Sequence, residues 1–195
     1  NPNSQHILVH RAAGITRAAT ATMPSSSIFG GQGAIIDLGA DGQPITRARA
    51  FQIVALGEDG ARLSGGSRAS AHALFRNALR EALDYDRDQA ISGAGMRGGD
   101  VSLGDDIAID SRLLRGPEDR GTDVLLTRFD AAALVPVVRG TQRLYVMVER
   151  ASDIRSVLAL KQELPRLDMV LVGASEGWLV ASEIAAAGIP VIADG

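Results

Sequence analysis

Residues 144–195 read LYVMVERASDIRSVLALKQELPRLDMVLVGASEGWLVASEIAAAGIPVIADG and decide the fold. Three short apolar runs begin 25 and 20 residues apart in this segment: Leu144–Val148, Met169–Val172 and Ile189–Ile192. Continuous runs of Val, Ile and Leu are typical of parallel strands that are buried on both faces. The spacing leaves room for a helix after each strand, and such crossovers are right-handed, so the three strands are predicted to lie in order in one sheet.

The two connecting helices are predicted over Asp153–Leu164 and Glu176–Ala187, with Ser152 and Ser175 as their N-caps. In a parallel sheet of this kind the functional site forms at the carboxyl ends of the strands. The residues that follow the three apolar runs are therefore the first candidates for chemistry, and neither histidine nor cysteine is among them.

Upstream of residue 144 the pattern is more mixed. Each predicted element is closed by a glycine, a turn or a change in periodicity. We predict a helix from Asn3-Ser4 to Gly14, strands over Ile15–Thr22, Ala34–Leu38 and Phe51–Leu56, a Pro/Ser/Gly loop over Met23–Gly33, an amphipathic helix over Ser70–Asp86, a brief apolar run at Val124–Thr127 and a short helix over Ala131–Val138 capped by Asp130. The segment at about 92–121 is rich in glycine and is predicted to be irregular.

Composition excludes several classes of protein. The 195 residues are 46% apolar and 22% charged, as in ordinary globular proteins. A net charge of −3, with no basic run interleaved with aromatics, argues against nucleic-acid binding. The chain has no cysteine, which excludes disulfides, thiolate metal ligands and cysteine nucleophiles. No apolar stretch approaches the roughly 20 residues that span a bilayer, so no membrane partner is predicted.

Several passages resemble bacterial members of the amidohydrolase superfamily, in its imidazolonepropionase-like branch. The amino-terminal passage NPNSQHILVHRAAGITRAATAT is followed by a Gly31-Gln32-Gly33-Ala34 loop that matches the family's glycine-glutamine loop. Downstream, Leu134–Gly140 (LVPVVRG), Val148–Ile154 (VERASDI) and Leu171–Ile192 (LVGASEGWLVASEIAAAGIPVI) match further passages in the same order. The similarity covers both ends of the chain and is weak over the glycine-rich middle.

The resemblance implies an α/β fold, with the parallel βα units of an incomplete TIM-barrel-like amidohydrolase domain over residues 1–195. It also implies a divalent, zinc-like metal at the barrel mouth and hydrolysis of non-peptide C–N bonds. A complete (β/α)₈ barrel typically needs about 250 residues. The family's His-x-His pair and its last-strand Asp are therefore expected outside residues 1–195, and this segment alone is expected to be inactive.

Two positions depart from the metal-binding pattern. Met147 occupies a position where relatives have a histidine ligand, and a thioether is a poor ligand for zinc. The next strand of relatives often supplies a second histidine, but Val172-Gly173-Ala174 stands here. We therefore expect an altered or incomplete metal site, with no metal held by this segment. The alternative from another class is a non-catalytic amidohydrolase-like barrel that acts as a small-molecule-binding or scaffold module.

Four residues at strand ends are candidates for substrate binding: Glu149, Arg150, Glu176 and Asp194. Arg150 could grip an anionic substrate group through its guanidinium, or form a structural salt bridge to a neighbouring loop. Glu176 could face the site, or stabilise the first turn of its own helix through the helix dipole. Asp194 ends the last apolar run and is a candidate by position alone.

Other polar motifs favour structural roles. His6 and His10 lie four residues apart, on one helix face, and are interpreted as a solvated or interface pair because a third ligand is missing. His72 is predicted to be a surface residue. Ser25–Gly33 lacks the Gly-Lys-Ser/Thr of a phosphate-binding loop, so it is interpreted as a tight loop in which glycines permit positive φ or close backbone approach.

The partner expected is a small-molecule substrate or ligand, with either homo-oligomerisation or association with the rest of the parent chain. Asn1 is not an initiator methionine, so the natural start is expected upstream, and the compartment stays open between cytoplasm and periplasm. A third possibility is an independent α/β binding domain without a barrel. Such a domain should be monomeric, whereas a truncated barrel exposes sheet edges that pair with another copy.

Overall fold

The computed structural model describes residues 4–39, 42–95 and 125–193. Its elements are α1 (Gln5–Ala12), β1 (Arg17–Thr20), β2 (Phe29–Asp37), β3 (Ile45–Ala55), α2 (Gly57–Leu63), α3 (Arg68–Gly95), α4 (Arg128–Val138), β4 (Arg143–Val148), α5 (Ala151–Glu163), β5 (Met169–Gly173), a 3₁₀ helix (Gly177–Val180), α6 (Ala181–Ala187) and β6 (Val191–Ala193). The chain divides into two compact units, residues 1–76 with 136–195 and residues 77–135. The predicted single domain over residues 1–195 stays a prediction.

All six strands belong to the first unit and form one curled sheet in the order β1-β2-β3-β4-β5-β6. Strands β1 to β3 pair in antiparallel fashion, and β3 to β6 pair in parallel. The predicted order of the last three strands is confirmed. Because β3, β4 and β5 run parallel, their carboxyl ends lie at one edge of the sheet, which is here called the mouth. Each of these strands leads directly into a helical segment.

The two faces of strand β4 differ in burial. In β4, Leu144, Val146 and Val148 are completely buried, whereas Tyr145 and Met147 between them are half-buried. In β5, Met169 and Leu171 continue the buried series, as their register with Leu144 and Val146 requires. Successive strand residues point to opposite faces, so the buried series marks the face that the crossover helices cover. The residues between them form the opposite, inner face of the curled sheet.

In the second unit, residues 77–135, a carboxylate ties the chain before α4 to α3. Glu81 accepts hydrogen bonds from the backbone N–H groups of Leu125 and Leu126, both at 2.8 Å. The predicted start of the short helix is wrong by three residues, since α4 begins at Arg128 and the hydroxyl of Thr127 accepts from the N–H of Asp130. Thr127 therefore caps this helix instead of Asp130. The brief apolar run at Val124–Thr127 forms no strand over its described residues, 125–127.

Strands β2 and β3 both begin earlier than predicted: β3 begins at Ile45, six residues before Phe51, and β2 begins inside the loop predicted over Met23–Gly33. The second half of this loop is strand, because β2 begins at Phe29 and pairs with β3, with register shifts between Phe29 and Gly31, between Gly33 and Ile35, and between Ile35 and Ile36. The glycines do have the predicted properties. Gly31 has φ +81°, and a Cβ on Gly33 would lie 2.8 Å from Cε1 of the Phe51 ring. Close packing against the Phe51 ring is therefore the reason for glycine at position 33, and the positive φ is the reason at position 31.

The long helix extends beyond its predicted end. α3 runs from Arg68 to Gly95, past Asp86, because no glycine or proline interrupts residues 87–91. Residues 92–95, predicted to be irregular, belong to this helix. The rest of the glycine-rich segment, from residue 96 to 121, lies outside the described residues, and so does the candidate Asp194.

Strand β6 has a partner on one side only within the described sheet, and its three residues are exposed. Unpaired strand edges favour association with further chain or with another copy. The expected oligomerisation, or association with the rest of a parent chain, stays a prediction. None of the helices described is long and apolar enough to cross a membrane.

Candidate functional site

The side chains that face inward at the mouth are apolar. The parallel register aligns Ala55 of β3 with Met147 of β4, Met147 with Val172 of β5, and Val172 with Ile192 of β6. Met147 and Val172 are half-buried, and Ile192 is 47% exposed. Four neighbouring strands thus carry three hydrocarbon side chains and one thioether near their carboxyl ends, where a barrel enzyme places its reacting groups.

Two stacked rings pack in a deeper layer. Phe51 of β3 and Tyr145 of β4 have ring centroids 4.4 Å apart and planes inclined by 16°. Phe51 is buried and Tyr145 is half-buried, so the pair forms an aromatic floor below Met147. The glycine at position 33 leaves room for the Phe51 ring. This floor carries no charge.

Glu149 is the first ionisable residue after β4, and its carboxylate is engaged by the loop after β5. It accepts hydrogen bonds from the backbone N–H of Ser175, at 2.9 Å, and from the Ser175 hydroxyl. The Glu149 backbone carbonyl accepts from the N–H of Glu176 at 2.9 Å. The prediction that Ser175 caps the final helix is wrong, because its donors serve Glu149 and the chain forms a 3₁₀ helix from Gly177 before α6 begins at Ala181.

Arg150 lies between two carboxylates. Its Nε donates to Glu58 of α2 at 2.7 Å, and its Nη1 is 3.6 Å from Glu176 Oε1. The structural salt bridge that was the alternative to substrate binding is therefore present. Two carboxylates already balance the guanidinium charge, which disfavours an anionic ligand at this point. The role of Arg150 in substrate binding stays a prediction.

Glu176 stabilises a helix other than the one predicted. Its Oε2 accepts from the backbone N–H of Ala151 at 2.9 Å, at the start of α5. The predicted cap by Ser152 is wrong, because α5 begins one residue before Ser152 and Arg150 occupies the N-cap position without a side-chain bond. A carboxylate is favoured at a helix N-terminus by the free N–H groups and by the helix dipole.

The ion pair with Arg150 changes the titration of Glu58. The hydrogen bond from the guanidinium, helped by the residue's own backbone, holds the pKa of the Glu58 carboxyl below its ordinary value of 4.5. The same bond raises the pKa of Arg150. A carboxyl with a lowered pKa in the folded state stabilises that state fully above its ordinary pKa. The stabilisation is lost as the pH falls through the lowered value.

We expect Glu58→Gln to lower Tm by about 1–2 °C at pH 7, a small change because the pair is roughly half exposed. The difference from the unsubstituted protein should shrink as the pH falls below 4.5, since protonation then removes the same charge from that protein. Differential scanning calorimetry between about pH 7 and pH 3 measures both effects. An identical difference at the two ends of this range would show that the ion pair does not contribute.

One buried cluster was missed by the sequence analysis. Asp153, in the first turn of α5, has a side chain that is 6% exposed. Its carboxylate contacts Arg68 Nη1 at 2.8 Å and His72 Nε2 at 3.2 Å, both at the start of α3. The prediction of His72 as a surface residue is wrong, because its side chain is only 21% exposed and contacts Asp153. The available signal was the spacing of Arg68 and His72, four residues apart and so on one helix face.

The candidate residues are thus partly brought together. Glu149, Arg150 and Glu176 meet at the ends of β4 and β5, with Glu58 as a partner that the sequence analysis did not name. His6 and His10 are exposed on α1, and no residue of that helix is buried. Among the residues described, no group of three or more His, Cys, Asp or Glu side chains could hold a metal ion.

The fold itself has a counterpart among solved structures. The crystal structure of an amidohydrolase from Thermotoga maritima MSB8 superposes with a TM-score of 0.75 over 100% of this chain, at 18% sequence identity. The chain spans 46% of the length of that protein. No protein-family model matches the chain, and no curated protein does.

At 18% identity the superposition shows the fold and leaves the activity open. It confirms the predicted fold class, including the mainly parallel sheet that curls as part of a barrel. The resemblance seen in the sequence passages is supported at the level of the amidohydrolase fold. This chain therefore has the fold of a partial, TIM-barrel-like amidohydrolase domain.

Proposed function

We propose that this chain is part of an amidohydrolase-like barrel whose metal site is altered and whose mouth binds a small molecule without hydrolysing it. The apolar row Ala55, Met147, Val172 and Ile192 carries the proposal. A catalytic zinc needs about three imidazole, carboxylate or thiolate ligands with one open position. These four aligned positions offer none.

The donors next to this row do not fit a metal either. Glu149 carries the carboxylate that directly follows β4, but it already accepts two hydrogen bonds from Ser175. At the end of β5 stands Gly173, which has no side chain. The sulfur of Met147 is a soft donor that zinc and magnesium avoid in proteins. The aromatic floor of Phe51 and Tyr145 instead favours a ligand with a flat apolar group.

The second candidate function is a metal-dependent hydrolase acting on non-peptide C–N bonds, in the imidazolonepropionase-like branch. The likeness to the Thermotoga amidohydrolase and the matching passages near both chain ends favour it. The present chain spans less than half of that protein. In this case the metal ligands would have to come from strands other than β3 to β6.

The two candidates differ in metal content. After the natural protein has been loaded with zinc and dialysed, we expect it to retain less than about 0.2 zinc ions per chain, measured by inductively coupled plasma mass spectrometry. A catalytic site would retain about one. Met147→His should leave this value unchanged, because Val172 and Gly173 still supply no second ligand. Met147→Leu is the matched control for the loss of the thioether.

Stoichiometric zinc in the unsubstituted protein would contradict the proposal and favour the hydrolase. Uptake of one zinc by Met147→His alone, without uptake by Met147→Leu, would show that the remaining ligands are intact elsewhere in the protein. That result would identify a former metalloenzyme that has lost one ligand.

A further inference from the structure

The ends of β4 and β5 are joined by reciprocal contacts. The residue after β4, Glu149, accepts from the N–H and hydroxyl of Ser175 in the loop that follows β5. In return, Glu176 of that loop accepts from the N–H of Ala151, which begins the helix that follows β4. Each loop thus accepts hydrogen bonds from donors of the other loop, at the mouth where β4 and β5 end.

The Glu149 carboxylate also occupies space that belongs to the neighbouring strand. Gly173, the last residue of β5, has φ +86°. A Cβ at this position would lie 2.8 Å from the carboxyl carbon of Glu149 and would overlap its Oε1. A residue with any side chain at position 173 therefore requires Glu149 to leave. Gly173 is needed twice, for its backbone conformation and for this space.

We infer that Glu149, Gly173 and Ser175 form a carboxylate latch that closes the ends of β4 and β5 in place of metal-ligand side chains. The sequence resemblance puts a histidine of relatives at Met147 and another within residues 172–174. In this chain the first position is a thioether, and the volume beside the second is filled by Glu149. The latch holds both strand ends through hydrogen bonds within the chain, so this part of the mouth is stable without a divalent metal.

This inference rests on contacts within the chain and not on the ligand-binding function proposed above. A mouth held by the latch is compatible with metal held by other strands. Conversely, a finding that the protein holds no metal would not show that the latch exists. Metal content tests the proposed function, whereas coupling between positions 149 and 173 tests the latch.

A double-mutant cycle measures that coupling. We expect Gly173→Ala in the natural protein to lower the folding equilibrium constant at least about tenfold more than Gly65→Ala. Gly65 has the same φ of +86°, and a Cβ added there would meet nothing within 4 Å, so it reports backbone strain alone. With Glu149→Ala present, the effect of Gly173→Ala should fall close to that of Gly65→Ala. The strain at position 173 is the same in both backgrounds and cancels in the cycle.

The readout is urea unfolding followed by circular dichroism, repeated with zinc and with a chelator. The coupling between positions 149 and 173 should be the same in both solutions, because the latch does not need a metal. An equal effect of Gly173→Ala with and without Glu149 would overturn the inference, as would a coupling between the two positions that is lost in the chelator. If Gly173→Ala does not fold, the cycle of Glu149→Ala with Ser175→Ala replaces it, and additive effects there would likewise overturn the latch.

Discussion

Asp153→Ala should lower the free energy of unfolding by about 2–3 kcal/mol. The carboxylate is 6% exposed and balances Arg68 and His72. Its removal leaves the guanidinium and the imidazole without their acceptor, which costs more than the hydrogen bonds alone because these groups lose their partner away from bulk water. The expected value is below that for a fully buried pair, since the Arg68 side chain is 42% exposed.

A matched control lies on the same two helices. Glu163 of α5 accepts from Arg76 of α3 at 2.8 and 2.9 Å, but its side chain is 46% exposed. Glu163→Ala should therefore change the free energy of unfolding by no more than about 0.5–1 kcal/mol. Urea unfolding with a common m-value gives both numbers. Equal effects for the two carboxylates would mean that burial of Asp153 adds nothing to its pairing.

The second large effect is expected for Phe75→Ala, at about 3–5 kcal/mol. Phe75 is fully buried in α3, with its ring centroid 6.2 Å from that of Phe29, the first residue of β2. Truncation to alanine removes a large apolar side chain from the core and leaves a cavity that the surrounding elements can close only partly. The loss of the tilted ring contact adds to this.

Phe129→Ala is the control of the same residue type. Its ring is 76% exposed, so the free energy of unfolding should stay within about 0.5 kcal/mol. Chemical denaturation of both variants under the same conditions separates the effect of burial from the effect of residue type. If Phe75→Ala were as mild as Phe129→Ala, the core between α3 and the sheet would not be packed around this ring.

The bounds of β4 and β5 could be predicted from the sequence almost to the residue. β4 and β5 were predicted within one residue at each end, because continuous apolar runs followed by a polar residue or a glycine specify a buried parallel strand locally. The prediction for β6 was less accurate. Ile189 is buried but precedes the strand, and pairing with β5 begins only at Val191.

The candidate site shows where local patterns fail. Strand-end position alone selected Glu149, Arg150 and Glu176, which the structure does bring together. Their partners could not be predicted, because Glu58 lies 92 residues from Arg150 in the chain, and the acceptor of Ser175 follows another strand. Serines that match a capping pattern were assigned to their own helices, whereas in the fold a carboxylate from the neighbouring loop was available at the right distance.

The sequence by itself determined the α/β class, the order of the parallel strands and the lack of histidine and cysteine at the ends of those strands, since these depend on periodicity and on residues adjacent in the chain. Only the tertiary structure decided that Gly33 makes room for Phe51, that Asp153 is buried against His72 and that Glu149 fills the space beside Gly173. Each of these depends on which distant residues the sheet register and the crossover helices bring within contact, a few ångströms that no local pattern specifies.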